Sequence, residues 1–114
     1  MKLPEDTLIA EEKLTQYLLT FRKRNDKSQW LFKAGYTLDN WMILEKDLRE
    51  QILSINATPL ENTEYGQLYE IRGKLVGPNG ESLVACTIWM MEGITGKTKF
   101  ITMYPNKRRW PNEI

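Results

Sequence analysis

Apolar residues recur at helical spacing in the first half of the chain and at strand spacing in the second. Leu14, Tyr17, Leu18 and Phe21 fall on one face of a 3.6-residue period, which predicts a helix over about 11–21 with that face inward. Glu11 and Glu12 at its start and Arg22 and Lys23 at its end complement the helix dipole. Asp26 followed by Gln29 resembles a capping box, opening a short helix that Gly35 stops. A third helix, capped by Thr37 or Asp39, is expected over about 38–54. Leu38, Trp41, Leu44, Leu48 and Ile52 form its apolar stripe, and Glu45 and Arg49 make an i,i+4 pair outside.

Residues 55–63 lose this period and read as a connector. From Glu64 the period becomes two: Tyr65, Tyr69, Ile71 and Leu75 point one way, and Glu70, Arg72 and Lys74 the other. Gly77-Pro-Asn-Gly80 is a turn, since Pro presets φ and Asn or Gly accepts positive φ. Leu83–Met91, apolar on both faces, suits a central strand, and Glu92–Lys97 a second turn. Thr98–Tyr104 is the last strand, ended by Pro105. The expected fold is α+β, with two to three N-terminal helices packed on one face of a C-terminal antiparallel meander of about three strands.

The length of 114 residues suits one domain over 1–114, with 105–114 as an arm whose Trp110 docks somewhere. A chain of this size buries roughly two-thirds of its unfolded surface, enough for a core without metal or crosslink. No apolar run approaches the roughly 20 residues that span a bilayer, and acids follow Met-Lys-Leu-Pro at the start. The expectation is therefore a cytoplasmic protein with no membrane partner.

Cys86 is alone, in the most apolar segment, and reads as a buried structural thiol. Histidine is absent, which excludes Ser-His-Asp and Cys-His catalysis and imidazole metal sites. Neither a metal nor a cofactor is expected. The net charge is only +1, but it is unevenly placed. Arg22, Lys23, Arg24, Lys27 and Lys33 stand against Asp26 alone, and Lys97, Lys99, Lys107, Arg108 and Arg109 occur with no acid from Gly93 to Asn112. If the two segments meet, they make one positive face.

Two constellations carry candidate chemistry. Lys and Arg bind phosphates and aromatic faces stack unpaired bases, the ingredients of single-stranded nucleic-acid binding. The ordinary alternative is solvated helix-end charges and core aromatics. The second constellation is hydroxyls on the sheet. Thr102 and Tyr104 are read as sharing a face with Phe100, and Thr87 lies beside Trp89. Ordinary β-propensity accounts for such residues. A ribonuclease site would instead use them to hold a phosphate while Lys or Arg stabilises its developing charge. Without histidine, proton transfer falls to Lys, Tyr or Glu.

Four stretches resemble a family of short, functionally uncharacterised bacterial proteins common in cyanobacteria. They are Glu12-Lys-Leu-Thr-Gln-Tyr-Leu-Leu19, then Phe32-Lys-Ala-Gly-Tyr-Thr-Leu-Asp-Asn-Trp41, then Tyr65-Gly-Gln-Leu-Tyr-Glu-Ile-Arg72 through Gly77-Pro-Asn-Gly80, and Thr87-Ile-Trp89 with Phe100-Ile-Thr-Met-Tyr-Pro105. Members of that family stand in gene pairs like toxin and antitoxin, and related domains end larger toxin proteins. The helices-then-sheet plan is similar to that of the barnase, colicin and RelE-like ribonuclease toxins, an analogy of architecture. The family often carries a His-Pro-x-Gly-Lys segment between the first two helices; this chain has Arg22-Lys-Arg-Asn-Asp-Lys27 there, keeping the cation and losing the histidine.

The resemblance implies Lys27, Thr102 and Tyr104 as catalytic positions and adds Trp89 and Arg72 to Arg22, Arg24 and Lys33 as substrate-binding ones. Two functions stay open. One is a toxin-like, RNA-directed protein, a metal-independent endoribonuclease with a cognate antitoxin. The other is a non-enzymatic module that binds a protein partner through a strand edge or the helical face, with Met90, Met91 and Trp110 as contacts.

Overall fold

The computed structural model describes residues 1–24 and 26–106. Helix α1 is α-helical over Glu11–Lys13 and widens to a π turn over Leu14–Leu18, closed by Leu19 N–H to the Leu14 carbonyl at 2.9 Å. Helix α2 spans Ser28–Phe32. Helix α3 opens with a 3-10 turn, Leu38–Asn40, runs through Trp41–Asp47 and ends in a π turn, Leu48–Ile52. Thr37 caps α3 reciprocally with Asn40, whose side-chain oxygen accepts the Thr37 N–H at 2.7 Å. Because α1 ends at Leu18, Phe21 falls beyond its apolar face and stands 65% exposed, not inward as its spacing predicts.

The helices pack on one face of an antiparallel sheet, so the α+β fold is as the sequence pattern predicts. The sheet has four strands in the order β1-β2-β3-β4: Thr58–Thr63, Gly66–Val76, Ser82–Glu92 and Thr98–Pro105. The extra strand, β1, lies in the stretch expected to be a connector. It is an almost wholly exposed edge, with Pro59 and a register shift between Pro59 and Asn62. Such an edge buries nothing and so leaves no alternating apolar signature. Tyr65, expected to face inward, sits in the exposed β1–β2 turn.

The inner face is apolar. Leu14, Leu18, Leu44, Leu48 and Ile52 from the helices meet Tyr69, Ile71, Leu75, Trp89, Phe100 and Met103 from the strands. Trp89 and Phe100 meet edge to face, with centroids 5.1 Å apart. Buried Tyr36 pins α3 to β2, its hydroxyl donating to Asp47 Oδ2 at 2.7 Å and to the Val76 carbonyl at 3.2 Å. Burial and that carboxylate push its ionisation above the ordinary tyrosine range.

The tip of the β2–β3 hairpin is built against the end of α2. The Asn79 side-chain amide donates to the Lys33 carbonyl at 3.0 Å, and its backbone N–H to the Ala34 carbonyl at 3.3 Å. Gly77 lies so close to Ala34 that any Cβ would overlap the Ala34 backbone.

Candidate functional site

The face of the sheet turned away from the helices carries the polar residues, arranged in rows by the register. Arg72 pairs Cys86, which pairs Tyr104; one row along, Glu70 pairs Ile88, which pairs Thr102. Directly paired side chains on one face are neighbours, about 5 Å apart at Cβ.

A bulge decides which β4 residues belong to this face. The β3–β4 register slips between Ile88 and Trp89, so that Ile88 opposes Thr102 while Trp89 opposes Phe100, and Ile101 is the extra residue. Phe100 and Met103 therefore face the core. Thr102 and Tyr104 face outward, opposite to Phe100; the sequence expectation that the three share a face is corrected by this one inserted residue.

Asp26, Lys27, Arg72, Cys86 and Tyr104 line one open pocket of about 500 Å3. The connection between α1 and α2 supplies the first two. Asp26 organises this connection: its Oδ1 accepts the Arg22 N–H at 3.0 Å and the Ser28 hydroxyl at 2.8 Å. Burial alone would raise its pKa, but these bonds outweigh that and hold the carboxyl below its usual range. Lys27 Nζ lies 5.5 Å, and Arg22 Cζ 4.7 Å, from the centroid of the Tyr17 ring, which thereby holds two cations.

On the sheet side the groups are linked. Arg72 Nε lies 3.3 Å from Glu70 Oε1, and the Cys86 thiol donates to Glu70 Oε2 at 2.9 Å. Arg72 is half exposed, whereas the Glu70 side chain is 17% exposed. The Glu70 charge raises the already high pKa of Arg72. Burial, then the bond to Glu70, raises that of Cys86, so the thiol stays protonated at neutral pH. Tyr104 is pushed up to about 12, first by its hydrogen bond to Cys86 and then by burial. Its phenol is therefore a proton donor at neutral pH and not a base. The Thr102 hydroxyl is buried without a hydrogen-bond partner.

The sequence candidates thus separate. Lys27, Arg72 and Tyr104 come together in the pocket, with Thr102 on the same face two residues before Tyr104, about 7 Å along the strand. Arg22 approaches Lys27 through Tyr17. Arg24 is exposed outside the pocket lining, and Lys33 sits at the far end of α2, where its carbonyl accepts Asn79. Trp89 is fully buried; its indole N–H donates to Thr87 Oγ1 at 2.7 Å, which donates on to the Ile71 carbonyl at 2.8 Å. A ligand on the surface cannot reach its ring, so Trp89 and Thr87 are core partners. Lys107, Arg108, Arg109 and Trp110 lie outside the described residues.

Glu70, Asp26 and Cys86 were not foreseen as site residues. Strand alternation already placed Glu70 beside Arg72; the pairing register, which the chain alone does not reveal, adds Cys86. Among the described residues no three His, Cys, Asp or Glu side chains cluster closely enough to hold a metal ion. No helix among them is long and apolar enough to cross a membrane.

A family model described as a domain of unknown function, DUF6883, matches residues 2–107. The chain belongs to the DUF6883 family. No curated protein matches it. Among solved structures, this DUF6883 chain is similar to a chain of a contact-dependent growth inhibition toxin–immunity protein complex from Klebsiella pneumoniae 342. The TM-score is 0.63 at 17% identity, over 88% of this chain and 93% of that one. At that identity the likeness is one of fold.

Proposed function

We propose that this DUF6883 chain is a toxin-like, RNA-directed protein that cleaves RNA without a metal. The observation that carries the reading is the pocket itself: Lys27, Arg72 and Tyr104, drawn from three distant parts of the chain, line one concavity beside Glu70. The shared fold with a chain of a toxin–immunity protein complex supports a place in a toxin system with a protein partner.

The chemistry follows from the groups gathered at the pocket and from Tyr104 keeping its proton. Glu70 accepts the proton of a ribose 2′-hydroxyl through a lone pair left free by Arg72 and Cys86. The 2′-oxygen forms its bond to phosphorus as the bond to the 5′-oxygen breaks, and Tyr104 supplies the proton that the departing oxygen takes. Lys27 and Arg72 neutralise the phosphate as its charge grows. Thr102 stands in the next row with its hydroxyl buried and outside the pocket lining, so its part in the reaction is to support Tyr104 from within β4.

The test is incubation of purified protein with total RNA in EDTA, beside Lys27→Ala, Thr102→Ala and Glu70→Gln variants. Discrete products, reduced about a hundredfold or more by Lys27→Ala, are the expected result. Intact RNA with a folded, partner-free preparation would move the assignment to the second reading, a non-enzymatic interaction module. The strongly exposed Phe21 and Phe32 favour that reading.

A further inference from the structure

The connection between α1 and α2 folds back on itself. Asp26 Oδ1 accepts the Arg22 N–H at 3.0 Å, the Ser28 N–H at 3.4 Å and the Ser28 hydroxyl at 2.8 Å, which returns Lys27 to the side of Arg22. Tyr17, in the π turn of α1, serves both cations. Arg22 Cζ is 4.7 Å and Lys27 Nζ 5.5 Å from its ring centroid, each within the roughly 6 Å at which a ring face attracts a cation. The ring is itself held, packed half-buried against the core. Lys27 lines the basic pocket and Arg22 stands just outside its lining, so one ring sets a cation inside the site and a second beside it.

Two like charges gathered on one ring repel each other, and an anion laid across them relieves that repulsion. Among the described residues neither Arg22 nor Lys27 makes an ion pair. The carboxylates here are Asp26, whose Oδ1 is committed to the Arg22 and Ser28 donors, and Glu70, paired with Arg72 across the pocket. Arg22, Lys27 and Arg72 outnumber those two acids, so the charge stays positive with both ionised. We infer that Tyr17 is a positioning residue that seats Lys27 on one phosphate and Arg22 on the next phosphate of the same strand. This rests on the proposed phosphate-binding role of the pocket and names the ligand class, a polynucleotide with consecutive phosphates and not a mononucleotide. A strand repeats its charge at short, regular intervals, which a fixed pair of cations matches and a lone phosphate does not. The ring face, not the phenol hydroxyl, does the seating, so phenylalanine should serve as well as tyrosine.

The probe is a fluorescently labelled hexadeoxynucleotide, which carries the phosphates but lacks the 2′-hydroxyl nucleophile, so that binding is read without cleavage. Wild-type, Arg22→Gln, Tyr17→Leu and Tyr17→Phe proteins are titrated by fluorescence anisotropy over a range of salt concentrations. Arg22→Gln should lower the slope of log affinity against log salt by about 0.7, the share of one phosphate contact on a single strand. Arg22 is exposed, so this variant keeps the fold. Tyr17→Leu should weaken binding about threefold to tenfold at fixed salt, and Tyr17→Phe should bind as the wild type does. An unchanged slope in Arg22→Gln, or Tyr17→Phe as weak as Tyr17→Leu, would overturn the inference. So would absence of binding, and so would equal affinity for a hexaglutamate peptide, which would make the cation pair a surface for an acidic protein. The expected slopes from a protein that leaves RNA intact would support the inference and remove only the cleavage reading.

Discussion

The two faces of the sheet use the same residue types for opposite ends. On the inner face Thr87 and Trp89 are spent on each other: the indole donates to the hydroxyl and the hydroxyl to the Ile71 carbonyl, while Thr98, at the start of β4, keeps a buried hydroxyl without a partner. On the outer face Thr102 keeps a hydroxyl with no partner, while Arg72, Cys86, Glu70 and Tyr104 form a linked polar group open to a pocket. A buried hydroxyl that satisfies its neighbours is architecture. What distinguishes the outer face is that Arg72, Cys86 and Tyr104 open onto a pocket a ligand can enter, whereas the Thr102 hydroxyl is buried behind it.

The sharpest way to break this contrast is at Trp89. Trp89→Ala removes the largest fully buried side chain and should destabilise the fold by about 3–5 kcal/mol, read as a lower denaturant midpoint. Next come the two threonines. Thr87→Val leaves the Trp89 N–H unpaired in the core and should cost about 1–3 kcal/mol. Thr102→Val should leave stability unchanged or raise it by up to about 1 kcal/mol, because the methyl replaces a buried hydroxyl that has no partner to lose. If the two variants cost the same, the contrast between the faces fails.

The smallest expected effect is alkaline. The Tyr104 pKa is raised from 10.0 to about 12, so the folded state holds the phenolic proton more tightly than the unfolded chain does. Its contribution is complete below pH 10 and fades as pH rises to about 12. Tyr104→Phe should therefore make the loss of stability in that window shallower, as followed by unfolding at fixed temperature. Tyr36, raised in the same direction, keeps part of the slope in the variant.

What could be read from the chain, and what could not, divides along physical lines. Glu70, Arg72 and Lys74 were assigned to one face and Tyr69, Ile71 and Leu75 to the other, because β2 is half buried and writes its alternation into the sequence. The face of Thr102 and Tyr104 was misread because the bulge at Ile101 involves no glycine or proline and is a matter of pairing register. Strand β1 was missed because an exposed edge needs no apolar residues. The helical stripe of Leu44, Leu48 and Ile52 was legible from its spacing, whereas the early end of α1 was not. In the site, the resemblance pointed to Lys27 and Tyr104 separately; their common pocket with Cys86 depends on tertiary placement and register.

The contact between Gly77 and Ala34 has a mechanical consequence. The hairpin tip accepts the end of α2 with no room for a side chain, so the helix that begins after Lys27 and the strands that bear Arg72 and Cys86 are braced against each other. The opposite walls of the basic pocket are thus parts of one stiff frame, and its width is fixed at a point that carries no chemistry of its own. A methyl group added at position 77 would act like a shim at the hinge side of a clamp, spreading the jaws from the far end.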